Sequence, residues 1–101
     1  IHAVGPRWRD GSHGEEELLA AAWRAALAEA VEHGARSVAF PSIATGVYGF
    51  PVDRAARIAV REVRRVLAAG SRLQVTICAF STGDEEVYRR AVEETSQPAG
   101  A

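Results

Sequence analysis

The chain has 101 residues, enough to bury one hydrophobic core but not two. Hydrophobic residues make up 48% and charged residues 25%, an ordinary globular balance, and the net charge of -1 argues against nucleic acid held mainly by a basic surface. The single cysteine, Cys78, excludes an internal disulfide, and His2, His13 and His33 stand too far apart in sequence to form a Cys/His metal set, so no cofactor or metal is expected.

All 12 cationic side chains are arginine, which fits codon composition better than function. No apolar run approaches the ~18 residues that cross a membrane, and no signal-peptide pattern opens the chain. The expectation is an intracellular, cytoplasmic protein with no membrane partner.

In chain order, Ile1 to Val4 reads as a strand that enters with no lead-in and stops at Gly5-Pro6. His2 within it is better explained as a packed structural histidine than as a catalyst. Arg7 to Gly14, with Trp8 and several breakers, reads as a loop. A helix follows from Glu15. Glu15, Glu16 and Glu17 occupy its first turn, where the macrodipole favours negative charge, and an acidic first turn is the simpler reading than an acid/base or metal site. Leu18, Leu19, Ala22, Ala26, Leu27, Ala30 and Val31 recur at helical spacing, and Gly34 suits the helix end.

Ser37 to Phe40 is an apolar strand without clean alternation, as in a parallel sheet covered on both faces. After it comes F-P-S-I-A-T-G-V-Y-G-F-P-V-D, Phe40 to Asp53. Gly46 and Gly49 allow positive φ or close backbone approach, Ser42 and Thr45 offer hydroxyls, and Val47, Tyr48 and Phe50 are apolar where loops are usually polar. A glycine-bearing loop between a strand and a helix can aim several N–H groups at an anion, most often phosphate, with aromatic residues walling a ring. Glycine spacing alone equally fits an ordinary turn.

Pro51 suits a first helical turn and Asp53 the positive end of the helix dipole. Ala55, Ala56, Ile58, Ala59, Val63, Val66 and Leu67 form an apolar stripe, while Arg54, Arg57, Arg61, Arg64 and Arg65 form a solvated face with Glu62 as an internal partner. RNA or partner binding by that face is the weaker alternative. Gly70 ends the helix. Leu73 to Phe80 is a β-branched strand in which Cys78 stands as a small hydrophobe. A last helix runs from about Asp84 to Glu94 with Val87, Tyr88, Ala91 and Val92 facing inward, and the tail from Ser96 is frayed. Strand and helix alternation of this kind points to an α/β fold with parallel strands and right-handed crossovers, in which ligands gather at the carboxyl ends of the strands.

The stretches I-H-A-V-G-P-R-W, A-F-P-S-I-A-T-G-V-Y-G-F-P-V-D-R-A-A and I-C-A-F-S, followed by a short helix with V-Y, resemble the C-terminal half of the macrodomain family. The resemblance runs from Ile1 to about Thr95, making residues 1–95 the C-terminal portion of such a domain and 96–101 its tail. It implies a three-layer α/β/α fold, here β-α-β-α-β-α, with the N-terminal part of the fold absent. It also implies ADP-ribose or an ADP-ribosylated protein as the ligand. The diphosphate would lie on the backbone of Ala44, Thr45, Gly46, Val47 and Tyr48, the distal ribose beside Tyr48 and Phe50, and the adenine near Phe80, with Gly49 also among the ligand-binding residues. Ala44 stands where close relatives carry serine, which removes a hydroxyl and keeps the backbone donor.

Some members of the family only bind ADP-ribose; others hydrolyse ADP-ribosyl esters or deacetylate O-acetyl-ADP-ribose. The resemblance places an adenine-contacting aspartate, an asparagine-rich segment and a first glycine-rich loop ahead of the Ile-His strand, and none of these is in this sequence. Three readings follow: an ADP-ribosyl hydrolase that acts only when complete, with no catalytic residue assigned here; a non-catalytic ADP-ribose reader; and a half-domain serving self-association or pairing with a missing N-terminal half through open strand edges.

Overall fold

The fold was obtained as a computed structural model, which describes residues 5–43, 45, 49–79 and 81–96. The strand expected at Ile1 to Val4 lies outside the described residues. Among those described, the order is α1 (Glu15–Glu32), β1 (Ser37–Pro41), α2 (Val52–Ala68), β2 (Gln74–Cys78) and α3 (Thr82–Ser96). The α/β alternation read from the sequence is therefore present. β1 and β2 pair in parallel, in a register that sets Val38 beside Val75, Phe40 beside Ile77 and Pro41 beside Cys78.

Element ends follow local chemistry. α1 closes on His33 with Gly34 at φ 72°; the Gly34 N–H donates to Val31 O (3.0 Å) and the Ala35 N–H to Ala30 O (3.0 Å). α2 repeats this doubly bonded C-terminal motif at Ala69, Gly70 and Ser71, with Gly70 at φ 101°. Pro51 caps α2 from just outside it, one position earlier than the first turn that the sequence suggested. α3 starts at Thr82 rather than near Asp84, because the Ser81 side chain accepts the Asp84 N–H at 3.1 Å and the Ser81 carbonyl accepts the Glu85 N–H at 2.9 Å. Ser96 belongs to α3, and 97–101 lie outside the described residues.

The buried face of α1 is rotated from the one expected. Leu19, Ala20, Trp23, Ala26, Leu27 and Ala30 are buried, whereas Leu18 and Val31 are exposed. The 19-23-26-27-30 series keeps to one stripe, and Leu18 and Val31 flank it about 100° away. Trp23, absent from the sequence list, is its largest member; it meets Phe40 of β1 edge-on at 4.9 Å between ring centroids. α2 packs against both α1 and α3, so it buries Ala55, Ala56, Ile58, Ala59 and Val60, more than a single stripe. Its alanines permit that close double contact. Leu67 and Val92, expected inside, are exposed.

Within the described residues the two strands alternate in burial. Phe40 is buried and Val38, Val75 and Ile77 are half-buried on one side. Ser37, Ala39, Pro41, Gln74, Thr76 and Cys78 are exposed on the other. Val60 and Val63 of α2 and Tyr88 of α3 line a groove with Val75 and Ile77, so the helices lie against the apolar face.

The arginine-rich side of α2 is largely solvated, and it encloses one carboxylate. Glu62 is fully buried, with Arg24 of α1 at 3.3 Å, Arg61 at 3.2 Å and Arg65 at 3.5 Å. Arg24 thus ties α1 to α2 through a group that cannot reach water. Glu62→Gln loses the charge that three guanidiniums face and should lower unfolding free energy by about 1–3 kcal/mol. Arg24→Ala leaves two partners in place and should cost less. Urea titrations with an unchanged slope would measure both.

Candidate functional site

The loop between β1 and α2 leaves the sheet at Pro41, beside the carboxyl end of β2. Of the residues expected to bind a ligand, Ala44, Gly46, Val47, Tyr48 and Phe80 lie outside the described residues. Thr45, Gly49 and Phe50 are described, and each takes a different position. Gly49 is exposed at φ 73°, a left-handed conformation that side chains rarely adopt, and the space where a Cβ would project is open.

Phe50 is buried, at 3% exposure, with Trp8 edge-on at 4.8 Å. Arg54 covers Trp8 from outside, its guanidinium carbon 5.4 Å from the ring centroid. The far end of the loop is therefore fastened to the segment that precedes α1.

Thr45 is buried, and its hydroxyl donates to Ser42, with the Ser42 carbonyl at 3.1 Å and the Ser42 Oγ at 2.9 Å. Ser42 Oγ in turn shares a hydrogen bond of 2.5 Å with the Tyr88 hydroxyl of α3. Burial pushes the Tyr88 pKa up, the hydrogen bond to Ser42 offsets part of that, and the nearby Asp84 charge adds to it. The two hydroxyls that the sequence marked in the loop are thus joined to each other and to the last helix. Their separation of three residues was visible in the sequence; the partner, 46 residues from Ser42, was not.

A second cluster escaped the sequence. Glu15 is buried at 2% exposure. Its Oε2 accepts the N–H groups of Arg9 (3.0 Å), Asp10 (3.2 Å) and Gly11 (2.8 Å), and its Oε1 accepts that of His13 (2.6 Å). Burial disfavours the charge, but the N–H groups of Gly11, Arg9 and His13 outweigh it and hold the carboxyl at about 2, against an ordinary 4.5. Asp10 accepts both the side-chain and backbone donors of Ser12, lies 3.0 Å from His13 Nδ1, and is likewise lowered to about 2, mostly by Ser12. Asp10, His13 and Glu15 bring ligand atoms within 4.8 Å of one another. Both Glu15 oxygens already accept backbone donors, so the cluster is accounted for as the internal frame of the loop. Gly11 sits inside it at φ 87°, where a Cβ would come within 2.8 Å of the Trp8 ring.

Elsewhere, an apolar groove of about 420 Å³ runs between α2, α3 and β2, lined by Val60, Val63, Leu67, Val75, Ile77 and Tyr88 among others. It lies on the helix-covered face of the sheet, and Arg64, Glu85 and Arg89 also line it; Arg89 is paired with Glu85 at 2.6 Å and Arg64 donates to the Val92 carbonyl at 3.0 Å.

An α/β domain with a glycine-bearing loop at the carboxyl end of a parallel strand has the form of a nucleotide-type binding fold. The comparisons define it further. The sequence profile of the Macro domain matches residues 1–59, and the chain belongs to that family. It is 50% identical over 93 residues to a Macro domain-containing protein of Chlorobaculum tepidum, covering 91% of this chain and 54% of that protein. It is 40% identical over 89 residues to O-acetyl-ADP-ribose deacetylase 1 of Pantoea vagans, covering 87% and 52%. A mutant Oceanobacillus iheyensis macrodomain with ADPR superposes with a TM-score of 0.90 at 36% identity, covering 97% of this chain and 53% of the other. The chain spans about half the length of these relatives, and the fold over that span is the macrodomain fold.

The carboxylate frame carries a pH signature. The folded Glu15 and Asp10 titrate below their unfolded values, so the folded state binds fewer protons over that interval. The stability they contribute is complete above the ordinary carboxyl range and lost as pH falls toward about 2. Glu15→Gln should lower the thermal midpoint at pH 7 and flatten its decline between about pH 5 and 2, as followed by circular dichroism.

Proposed function

We propose that the chain contributes the diphosphate-binding part of an ADP-ribose site, formed by the loop from Pro41 to Phe50. The observation that carries this reading is the loop's construction. It leaves a parallel strand at its carboxyl end, is fixed internally at Ser42 and Thr45, reaches a left-handed glycine at Gly49, and is pinned at Phe50. The loop is thus anchored at both ends, with a glycine just before the second anchor. Backbone N–H groups of Ala44 to Gly49 would receive the diphosphate, Tyr48 would stand beside the distal ribose, and Phe80 near the adenine. Phe50 would act from beneath, as the support that holds the loop to Trp8. The ADPR-bound Oceanobacillus iheyensis macrodomain supports the ligand class.

Hydrolysis of ADP-ribosyl or O-acetyl-ADP-ribose esters is the finer proposal, supported by the name of the Pantoea vagans relative. It belongs to the complete domain rather than to these residues alone. Ser42, Thr45 and Tyr88 satisfy one another, which leaves them poorly suited to serve as nucleophile or base.

Calorimetric titration with ADP-ribose tests the binding reading, and saturable binding with unit stoichiometry is the expected outcome. Gly46→Val should obstruct the backbone approach and weaken binding at least about tenfold, or about 1.4 kcal/mol. Equal affinity for the substituted and unsubstituted proteins would remove the loop from the site. Release of acetate from O-acetyl-ADP-ribose separates a hydrolase from a reader that binds without turnover.

A further inference from the structure

We propose that Tyr88 is a positioning residue for the ligand loop, holding Ser42 and Thr45 in place through the Ser42 hydroxyl. The inference rests on the ADP-ribose reading for its ligand and on geometry for the contact.

Tyr88 stands on α3, which begins immediately beyond β2, and its ring is 7% exposed within the core. A phenylalanine would fill the same volume with no hydroxyl to satisfy, since burying a hydroxyl is unfavourable unless it is hydrogen-bonded. The Tyr88 hydroxyl is bonded, and its partner is Ser42, the first residue beyond β1. Ser42 also receives the Thr45 hydroxyl. The three oxygens therefore close a turn of the loop against α3, and residues 42 and 45 flank Ala44, the first backbone donor assigned to the diphosphate.

Packing alone would hold α3 on α2, as Ala91 does with its small buried side chain. The hydroxyl adds a directional constraint that ties α3 to the start of the loop. A displacement of this turn would move the first loop donors away from the anion while leaving the hydrophobic core in place.

The test uses the protein at the full length of its reading frame, with Tyr88→Phe and, separately, Ser42→Ala. Amide hydrogen exchange of Ser42 and Thr45 should accelerate by about tenfold or more relative to the unsubstituted protein, beyond any change at core amides of Trp23 and Ala59. Affinity for ADP-ribose should fall about fivefold, while affinity for adenosine, which has no diphosphate, stays the same. The double variant should be no worse than Ser42→Ala alone, because Ser42→Ala already removes the Tyr88 contact together with the Thr45 hydroxyl's bond to Ser42 Oγ.

Exchange at residues 42 and 45 that only follows the core amides would overturn the proposal and leave Tyr88 as core packing. So would equal losses for ADP-ribose and adenosine. If the unsubstituted protein binds no ADP-ribose, the functional reading fails, and the exchange data still decide whether Tyr88 holds the loop.

Discussion

Parallel register between two short strands is the constraint from which the rest follows. Setting Pro41 beside Cys78 brings the chain leaving β1 and the chain leaving β2 out of the sheet at the same edge. The first becomes the glycine-bearing loop; the second turns at once into α3 under the Ser81 cap. Because α3 starts there, Tyr88, a turn and a half further on, arrives over the beginning of the loop. Had the strands paired antiparallel, the two exits would lie at opposite ends and no residue of α3 could reach Ser42. The sheet is small, but its direction determines which side chains can meet.

α2 joins the sheet's edge to the rest of the molecule. It carries the loop's far end at its own N-terminus, and it buries alanines against helices on both sides. Small side chains make the helix narrow enough to be shared between two neighbours. Where a charged residue enters that contact, it is Glu62, and its charge is tolerated because three guanidiniums meet it from half-exposed positions. Such an arrangement is specific rather than strongly stabilising: a buried ion cluster roughly offsets its own desolvation, yet it disfavours any packing that would separate Arg24 from Glu62.

Much of this was legible in the sequence, for identifiable reasons. Helices and strands were found because apolar periodicity and a glycine at each of two helix ends are local signals, and α1 and α2 do end on Gly34 and Gly70. The loop was found because two glycines among apolar residues are out of place in a connector. What escaped depended on contacts distant in sequence. Leu18 and Leu19 are equally apolar, and only packing against the rest of the core decides which one turns inward. Glu15 looked like one acid of a charged first turn, because its burial comes from residues 9–13 wrapping their N–H groups around it. Tyr88 was placed in the core, but a hydroxyl's partner across 46 residues leaves no trace in a periodicity.

The loop's two anchors differ in kind, and the difference bears on the binding role proposed for it. At its start the fastening is polar, a set of hydroxyls with fixed directions. At its end it is apolar, Phe50 against Trp8, with Trp8 itself held by the Glu15-framed turn and covered by Arg54. An apolar contact fixes distance but tolerates rotation of the ring; a hydrogen-bonded contact fixes orientation as well. Orientation would matter most where backbone N–H groups aim at an anion, which on the proposed reading is the end at which the hydroxyls lie. Before the second anchor, Gly49 takes a left-handed conformation, with no side chain to exclude a ligand. Ordering the loop beforehand lowers the conformational entropy lost on binding, so affinity can come from a few well-placed donors rather than from a large contact area.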